Sequence, residues 1–133
     1  MELSVVVPLY NEGKSVQPLA EAIVQALEPK GYSFEVILVD DGSTDDTYVR
    51  AREWADRAEQ FRVLKLRKNF GQTAALRAGF DHAQGDIFVT MDGDLQNDPR
   101  DIDHLVRVLD RESYDVVAGF RGDRKDDFFA RTL

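Results

Sequence analysis

Two aspartates separated by one residue, Asp92 and Asp94, are the side chains whose type and spacing most clearly suggest chemistry. They follow residues 87–91, a short apolar run typical of a strand that is covered on both faces. Two carboxylates held this close repel each other unless a cation lies between them. Because Mg²⁺ and Mn²⁺ prefer oxygen ligands and leave room for substrate phosphates, the pair predicts a metal–diphosphate site. Asp-Gly is also a common turn sequence, so a solvated turn is the alternative.

A second acidic pair, Asp40 and Asp41, follows another predicted strand, residues 34–39. An aspartate at a buried strand end can accept a hydrogen bond from the imino N–H of uracil or guanine. The alternative is helix capping, which we expect from one of the three polar residues that follow, Ser43, Thr44 and Asp45. Capping does not explain the doubled aspartate, because adjacent like charges destabilise a strand end.

Polar residues also follow the first, third and fifth predicted strands. Tyr10 could pack against a base or a ribose, and Glu12 could accept a hydrogen bond from a sugar hydroxyl. A turn in which Asn and Glu side chains satisfy backbone donors is an equally good interpretation of that segment. Lys68, in the loop of residues 67–71, could lie along a diphosphate, and Arg121 could hold a second phosphate. Ordinary solvated loops are the alternative for both cations.

Strands and helices are predicted to alternate along the chain. Apolar and β-branched runs predict strands at residues 3–7, 34–39, 61–66, 87–91 and 115–118. Periodicity and capping residues predict helices at residues 15–27, from 43 or 44 to 59, at 73–83 and from 98 onward. This alternation predicts an α/β fold, a mostly parallel sheet with helices on both faces. Every candidate residue lies at the carboxyl end of a strand, where such sheets bind ligands.

Particular side chains predict helix boundaries and packing. Ser15 is the expected cap of the first helix, with Pro18 in its first turn, and Asp98 is the expected cap of the last helix. Trp54 is expected to be partly buried. A buried stripe is expected on the last helix, formed by Ile102, Leu105, Val106 and Leu109. The two histidines lie on helices away from the strand ends and are expected to have no role in the site: His82 and His104.

Composition limits the class of protein. The 133 residues, 43% of them hydrophobic, are enough for one compact domain. The absence of cysteine excludes disulfides and thiolate metal sites. A formal net charge of −8 argues against a nucleic-acid partner, which favours a basic surface, but a bound cation can reconcile an acidic protein with a phosphate ligand. No apolar run reaches about 18 residues and the first residues lack a basic region, so neither a spanning helix nor a signal peptide is expected.

Four segments taken together resemble the family 2 inverting glycosyltransferases with the GT-A fold. They are Val-Val-Val-Pro-Leu-Tyr-Asn-Glu, Val-Asp-Asp-Gly-Ser-Thr-Asp, Arg-Lys-Asn-Phe-Gly-Gln-Thr-Ala-Ala-Leu and Met-Asp-Gly-Asp-Leu-Gln-Asn-Asp-Pro, which begin at residues 5, 39, 67 and 91. The last segment is similar to that of the polyprenyl-phosphate sugar transferases within the family. The resemblance covers nearly all of the chain and implies a Rossmann-like three-layer sandwich.

The resemblance implies roles for individual residues. The nucleoside contacts would come from Pro8, Tyr10, Glu12 and one or both of Asp40 and Asp41. The divalent cation, Mg²⁺ or Mn²⁺, would bind Asp94 and Gln96, with Asp92 near the ribose and the metal. Arg121 matches a family arginine near the acceptor phosphate, and Arg131 is a second candidate. The implied reaction is metal-dependent transfer from a nucleotide sugar, with a UDP-sugar favoured over GDP-mannose, to a polyprenyl phosphate at the cytoplasmic face of the membrane.

Relatives of this kind continue well beyond 133 residues. We therefore expect residues 1–133 to be a single donor-binding domain, truncated before the acceptor-binding and membrane-associated segments, and able to self-associate as a homo-oligomer. A nucleotide-binding fragment without turnover is the alternative. Two other doubly wound classes fit less well. A receiver domain would carry an aspartate after its third strand, where Leu66-Arg67-Lys68 stands, and a dinucleotide-binding domain would have a glycine-rich turn after its first strand.

Overall fold

One mixed sheet organises the molecule. The computed structural model describes residues 1–111 with their side chains and the backbone of residues 116–119 and 128–132. Within that part of the chain, six strands lie in the order β3-β2-β1-β4-β6-β5. The strands are β1 (Leu3–Leu9), β2 (Phe34–Asp40), β3 (Phe61–Lys65), β4 (Ile87–Thr90), β5 (Val116–Gly119) and β6 (Phe128–Thr132). The helices are α1 (Gly13–Leu27, followed by a 3₁₀ turn, Glu28–Lys30), α2 (Thr47–Arg57), α3 (Gln72–His82) and α4 (Asp101–Arg111).

The first four strands are parallel, as the alternation of strands and helices predicted. In the register of the sheet, Val5 of β1 lies between Val36 of β2 and Val89 of β4. Strand β6 departs from that prediction, because it runs antiparallel between β4 and β5. No strand was predicted beyond residues 115–118. The fold class is nonetheless the predicted one, an α/β sheet that is mostly parallel.

Helices cover both faces of the sheet. On one face, alternate β1 residues such as Val5 and Val7 join a core with α1, α2 and α4. On the other face, Val6 packs in a smaller core with Ala75 of α3. Gly79 brings α3 close to the sheet, since a Cβ there would lie 2.3 Å from Val6 Cγ1. The stripe predicted on α4 is buried: Ile102, Leu105, Val106 and Leu109. Trp54 is partly buried against the core shared by α1, α2 and α4, as predicted.

Two predicted helix starts are wrong. Helix α1 begins at Gly13, so Ser15 lies inside it and does not cap it, and Pro18 falls beyond its first turn. Helix α4 begins at Asp101, later than predicted, although the Asp98 carboxylate does accept the Arg100 N–H in the turn that leads into the helix, as a capping residue would. Capping residues close to a helix start can form such local turns and thereby delay the helix.

The predicted start of α2 is also wrong. The helix begins at Thr47, and neither Ser43 nor Thr44 caps it. Asp45 accepts the Thr47 N–H at 2.9 Å, which is the nearest equivalent of the expected cap. Ser43 instead accepts a hydrogen bond from the Asn11 N–H, 32 residues away. The capping side chains are therefore used between loops rather than within one helix.

A buried carboxylate joins the strands at the opposite edge of the sheet from these loops. Glu35 is 3% exposed and accepts hydrogen bonds from Ser4 Oγ and the Gln84 N–H, both at 2.6 Å. Arg62 lies 2.8 Å from its other oxygen. Burial raises the pKa of Glu35, but the hydrogen bonds and the Arg62 charge outweigh it and hold the pKa below the ordinary value.

Among the described residues, no helix is both long enough and apolar enough to cross a lipid bilayer.

Candidate functional site

A pocket of about 440 Å³ opens at the carboxyl edge of the parallel strands. Its volume is within the range of roughly 300–1,000 Å³ typical of small-molecule sites. The loops that follow β1, β2, β3 and β4 surround it, as expected for ligand sites of parallel sheets. Its lining residues are Pro8, Leu9, Tyr10, Glu12, Asp41, Asn69, Gly71, Gln72, Asp92, Gly93 and Asp94. Six of the predicted site residues are thus brought together: Pro8, Tyr10, Glu12, Asp41, Asp92 and Asp94.

Three other predicted site residues stand outside the lining. Asp40 is fully buried at the end of β2, where its Oδ1 accepts the Ser43 N–H. Lys68 is exposed, and its Nζ lies 5.1 Å from the centre of the Phe70 ring. Gln96 contributes its backbone N–H to a hydrogen bond within the acidic loop. The side chains of two further candidates lie outside the described residues: Arg121 and Arg131.

The loop after β4 holds the two aspartates by local hydrogen bonds. The Asp92 N–H donates to Asn97 Oδ1 at 2.8 Å, and Asn97 is 2% exposed. The Gln96 N–H donates to Asp94 Oδ1 at 3.2 Å. Leu95, which lies between Asp94 and Gln96, has a φ of +68°, a left-handed conformation that non-glycine residues rarely adopt. This strained turn places both carboxylates at the same pocket.

Gln72 links the acidic loop to the start of α3. Its Nε2 lies 3.4 Å from Asp92 Oδ1, a long hydrogen bond across the pocket. Gly93 keeps the opposite wall close, because a Cβ there would lie 2.3 Å from Leu9 Cδ2 and 3.0 Å from Glu12 Oε2. The residue between the two aspartates therefore has to be small for Glu12 to approach them.

Glu12 provides an acceptor that the protein itself does not use. One oxygen accepts the Tyr10 N–H at 3.1 Å, whereas the buried Oε2 has no hydrogen-bond partner among the described residues. Burial raises the pKa of Glu12, the Tyr10 hydrogen bond lowers it, and the charges of Asp94 and Asp92 raise it further. A buried carboxylate oxygen without a partner is costly unless a ligand hydroxyl or a cation completes its bonding.

This donor set fits a divalent cation that is shared with a ligand. Among the described side chains, no three acidic or histidine groups lie close enough together to hold a metal ion by themselves. Asp92 and Asp94 nevertheless bring two carboxylates to one pocket, and their charges add to the effect of burial in raising the pKa of Glu12. Mg²⁺ and similar ions usually bind through one or two carboxylates together with waters and substrate phosphates. The residues present match that mode.

Asp41 positions the loop after β3. Its two oxygens accept the N–H groups of Phe70 and Gly71 at 2.8 and 3.0 Å, and the residue is 4% exposed. Gly42 allows the two loops to touch, since it has a φ of +70° and a Cβ there would lie 2.2 Å from the Lys68 carbonyl carbon. Asp41 therefore lines the pocket and also shapes its neighbouring wall.

Sequence reasoning missed several polar and small residues of the lining. It recognised the loop after the third strand but selected its cations, whereas Asn69, Gly71 and Gln72 face the pocket. The end of the third strand was predictable from the sequence. Which side of the following loop faces the pocket was not, because that depends on the hydrogen bonds between Asp41 and the loop backbone. Glycine next to polar residues at a strand end was the signal that could have found them.

Two solved structures share this fold. A mannosyltransferase of Pyrobaculum calidifontis, in complex with GDP-Man and Mn²⁺, superposes with a TM-score of 0.80 at 23% identity, over 98% of this chain and 44% of its own. Glucosyl-3-phosphoglycerate synthase of Mycobacterium tuberculosis, in complex with Mn²⁺, UDP and phosphoglyceric acid, gives a TM-score of 0.79 at 25% identity, over 98% of this chain and 55% of its own. The fold is that of the GT-A glycosyltransferases, which confirms the predicted class.

Within that class the sequence identifies the family. Residues 4–133 match glycosyl transferase family 2, and the chain therefore belongs to this family of transferase enzymes. Dodecaprenyl-phosphate galacturonate synthase of Rhizobium johnstonii is 49% identical over 100% of this chain and 40% of its own length. Undecaprenyl-phosphate 4-deoxy-4-formamido-L-arabinose transferase of Edwardsiella ictaluri is 42% identical over 97% of this chain and 40% of its own length. The chain thus spans about 40% of the length of these curated relatives.

Proposed function

We propose that this chain is the donor-binding domain of a metal-dependent inverting glycosyltransferase that transfers a sugar from a nucleoside diphosphate to a polyprenyl phosphate. One observation carries the proposal. Asp92, Asp94 and Glu12 line a single pocket at the carboxyl edge of the parallel strands, and the buried Oε2 of Glu12 has no partner among the described residues. Such a pocket supplies acceptors for sugar hydroxyls and negative charge for a cation, the two requirements of a nucleotide-sugar site.

The nucleoside is assigned to the wall formed by the loops after β1 and β2. Tyr10, 44% exposed at the pocket, would pack against the base or ribose, and Glu12 Oε2 would accept from a ribose hydroxyl. Asp41 retains acceptor capacity beyond its two backbone bonds and would read the imino N–H of the base. Asp40 lies buried behind it, and Pro8 completes the wall. UDP is the favoured nucleotide and GDP the competitor.

The diphosphate is assigned to the side of the pocket near the acidic loop. Asp94 and Gln96 would hold Mg²⁺ or Mn²⁺, with Asp92 beside the ribose and the metal, and Lys68 along the diphosphate. When bound, the cation would neutralise charge on the departing nucleoside diphosphate. Two structures with this fold were solved with Mn²⁺, which supports a divalent cation and leaves the choice between Mg²⁺ and Mn²⁺ to experiment.

The acceptor is assigned from the relatives. Both have a polyprenyl phosphate in their names, although their sugars differ. A phosphate acceptor is already anionic at neutral pH, so it requires positioning by arginine more than deprotonation. Arg121 is the proposed positioning group. Arg131 pairs with Phe88 near the amino end of β4, away from the pocket, and the register therefore disfavours it. In-line attack by the acceptor oxygen would invert the anomeric carbon, and the lipid would place the whole enzyme at the cytoplasmic face of a membrane.

The acidic loop offers a direct test by substitution. We expect Asp94→Ala to abolish Mn²⁺-dependent binding of UDP or GDP, because it removes the carboxylate assigned to the cation, while leaving the fold intact. Calorimetric titration measures binding, and circular dichroism checks the fold. Asp81→Ala is the matched control, since Asp81 is an exposed aspartate of α3 outside the pocket lining. Unchanged binding by Asp94→Ala would contradict the metal assignment.

The alternative is a domain that binds the nucleotide but does not turn it over by itself. Sugar transfer to a polyprenyl phosphate, measured with the same preparation, distinguishes the two. Binding without transfer would favour the alternative.

A further inference from the structure

The backbone turns sharply between the two pocket residues of the β1–α1 loop. Asn11 lies between Tyr10 and Glu12 and has a φ of +52°. Asparagine adopts this left-handed conformation more readily than most residues. The turn places Tyr10 and Glu12 in the pocket, and therefore the conformation of Asn11 determines the geometry of that wall.

The Asn11 side chain reaches across to the β2–α2 loop. Its Oδ1 accepts the Thr44 N–H at 2.8 Å and the Thr44 hydroxyl at 3.2 Å. A longer contact of 3.4 Å comes from the Asp45 N–H. In return, the Asn11 N–H donates to Ser43 Oγ at 2.9 Å. Asn11 thus binds the neighbouring loop with both its backbone and its side chain.

The following N–H groups are bound by the same loop. The Glu12 N–H donates to Thr47 Oγ1 at 2.9 Å, and the Gly13 N–H donates to Asp45 Oδ2 at 3.2 Å. Helix α1 has no side-chain cap of its own, so side chains more than 30 residues away perform that role. Gly13 leaves room for the neighbouring Asp46 side chain, since a Cβ there would lie 2.1 Å from Asp46 Oδ1.

We infer that Asn11 is a positioning residue of the donor site, and that residues 43–47 serve it by fixing the loop after β1. Asp41 lies two residues before Ser43, and its N–H donates to the Leu9 carbonyl at 2.8 Å. The Asn11 contacts with Ser43 and Thr44 therefore continue, beyond the sheet, the contact between the loops that carry Glu12 and Asp41. The inference rests on the proposed function and deepens it: the Asn-Glu and Gly-Ser-Thr-Asp segments act together to hold a nucleoside between two loops. Asn11 itself does not line the pocket.

The test compares two variants that separate the backbone from the side chain. Asn11→Gly permits the left-handed conformation and removes the acceptor. Asn11→Asp retains an oxygen that can accept the Thr44 N–H. We expect Asn11→Gly to weaken Mn²⁺-dependent binding of UDP or GDP by at least about tenfold, the effect typical of groups that orient site residues. Asn11→Asp should recover most of that affinity. Calorimetric titration well below the unfolding midpoint ensures that only folded protein is compared.

Controls separate positioning from general destabilisation. Asp81→Ala, at an exposed position of α3 outside both loops and outside the pocket lining, should bind like the wild type. If Asn11→Gly does not unfold cooperatively, Ser43→Ala takes its place, because it removes the acceptor of the Asn11 N–H and should also weaken binding. Wild-type affinity in the substituted protein would overturn the inference while leaving the proposed function intact. Absence of binding by the wild type would contradict the proposed function, and the inference with it.

Discussion

At the scale of single residues, Glu12 shows how the pocket is prepared for a ligand. One of its oxygens is bound to the Tyr10 N–H, and the other is buried without a partner among the described residues. The same environment raises its pKa, first through burial and then through the Asp94 and Asp92 charges. A ligand that brings a hydroxyl donor and a cation would satisfy the carboxylate and reduce the repulsion. Stored electrostatic cost of this kind is common at functional sites.

Asn97 allows a test of how the acidic loop is held. Asn97→Ala removes the acceptor of the partly buried Asp92 N–H, at a cost of at most about 1–3 kcal/mol. We expect a lower free energy of unfolding together with weaker Mn²⁺-dependent nucleotide binding. Chemical denaturation and titration measure the two effects. His104→Ala, at an exposed position of α4, is the control and should change neither quantity. Wild-type binding by Asn97→Ala would contradict the role of Asn97 in holding the acidic loop.

Sequence alone predicted the acidic residues of the pocket but not its remaining walls. Asp92 and Asp94 were recognisable because two carboxylates at a strand end need an explanation. Gln72 was not, because its contact with Asp92 spans 20 residues and depends on where α3 begins. Lys68 was chosen for its charge, yet the structure places that charge over the Phe70 ring.

At the scale of elements, the helices and strands were predictable and their boundaries less so. Helix α1 begins two residues before the predicted cap, and α2 begins at Thr47, three or four residues after the predicted one. The reason is that Ser43 and Asp45 bind N–H groups of the β1–α1 loop. Local sequence contains the capping residue types but not the partner that a distant loop supplies.

The bonds that Glu35 makes to neighbouring strands can be tested by measuring stability at different pH values. Its pKa is below the ordinary value of 4.5, so its stabilising effect is fully present above that pH and is lost as the pH falls through the folded-state pKa. Glu35→Gln weakens the bonds to Arg62 and Ser4 at neutral pH. We therefore expect the variant to be less stable than the wild type at neutral pH and the difference to shrink below pH 4.5. Urea denaturation across that range measures it, and a constant difference would contradict the assignment.

At the scale of the whole molecule, the sequence predicted the class of fold but did not predict strand β6. Apolar runs that alternate with amphipathic helices predicted the parallel strands. Strand β6 was missed because it follows a charged segment and runs antiparallel to its neighbours. Its Ala130 pairs with both Val89 and Val117. Alternation rules describe crossovers between parallel strands and do not predict such an insertion.

The sheet explains why four separate segments form one site. Their loops all leave the carboxyl edge of parallel neighbours, so residues as distant as Tyr10, Asp41 and Asp94 line one pocket. Matching glycosyl transferase family 2 over residues 4–133 places these loops within a known class of transferase. The central claim is that the pocket binds a nucleoside diphosphate together with a divalent cation.

Calorimetric titration of the wild-type chain with UDP and GDP, each with and without Mn²⁺, tests that claim most directly. We expect binding that requires Mn²⁺ and favours one nucleotide, with UDP the expected choice. Binding of neither nucleotide in the presence of Mn²⁺, or equal binding in its absence, would contradict it.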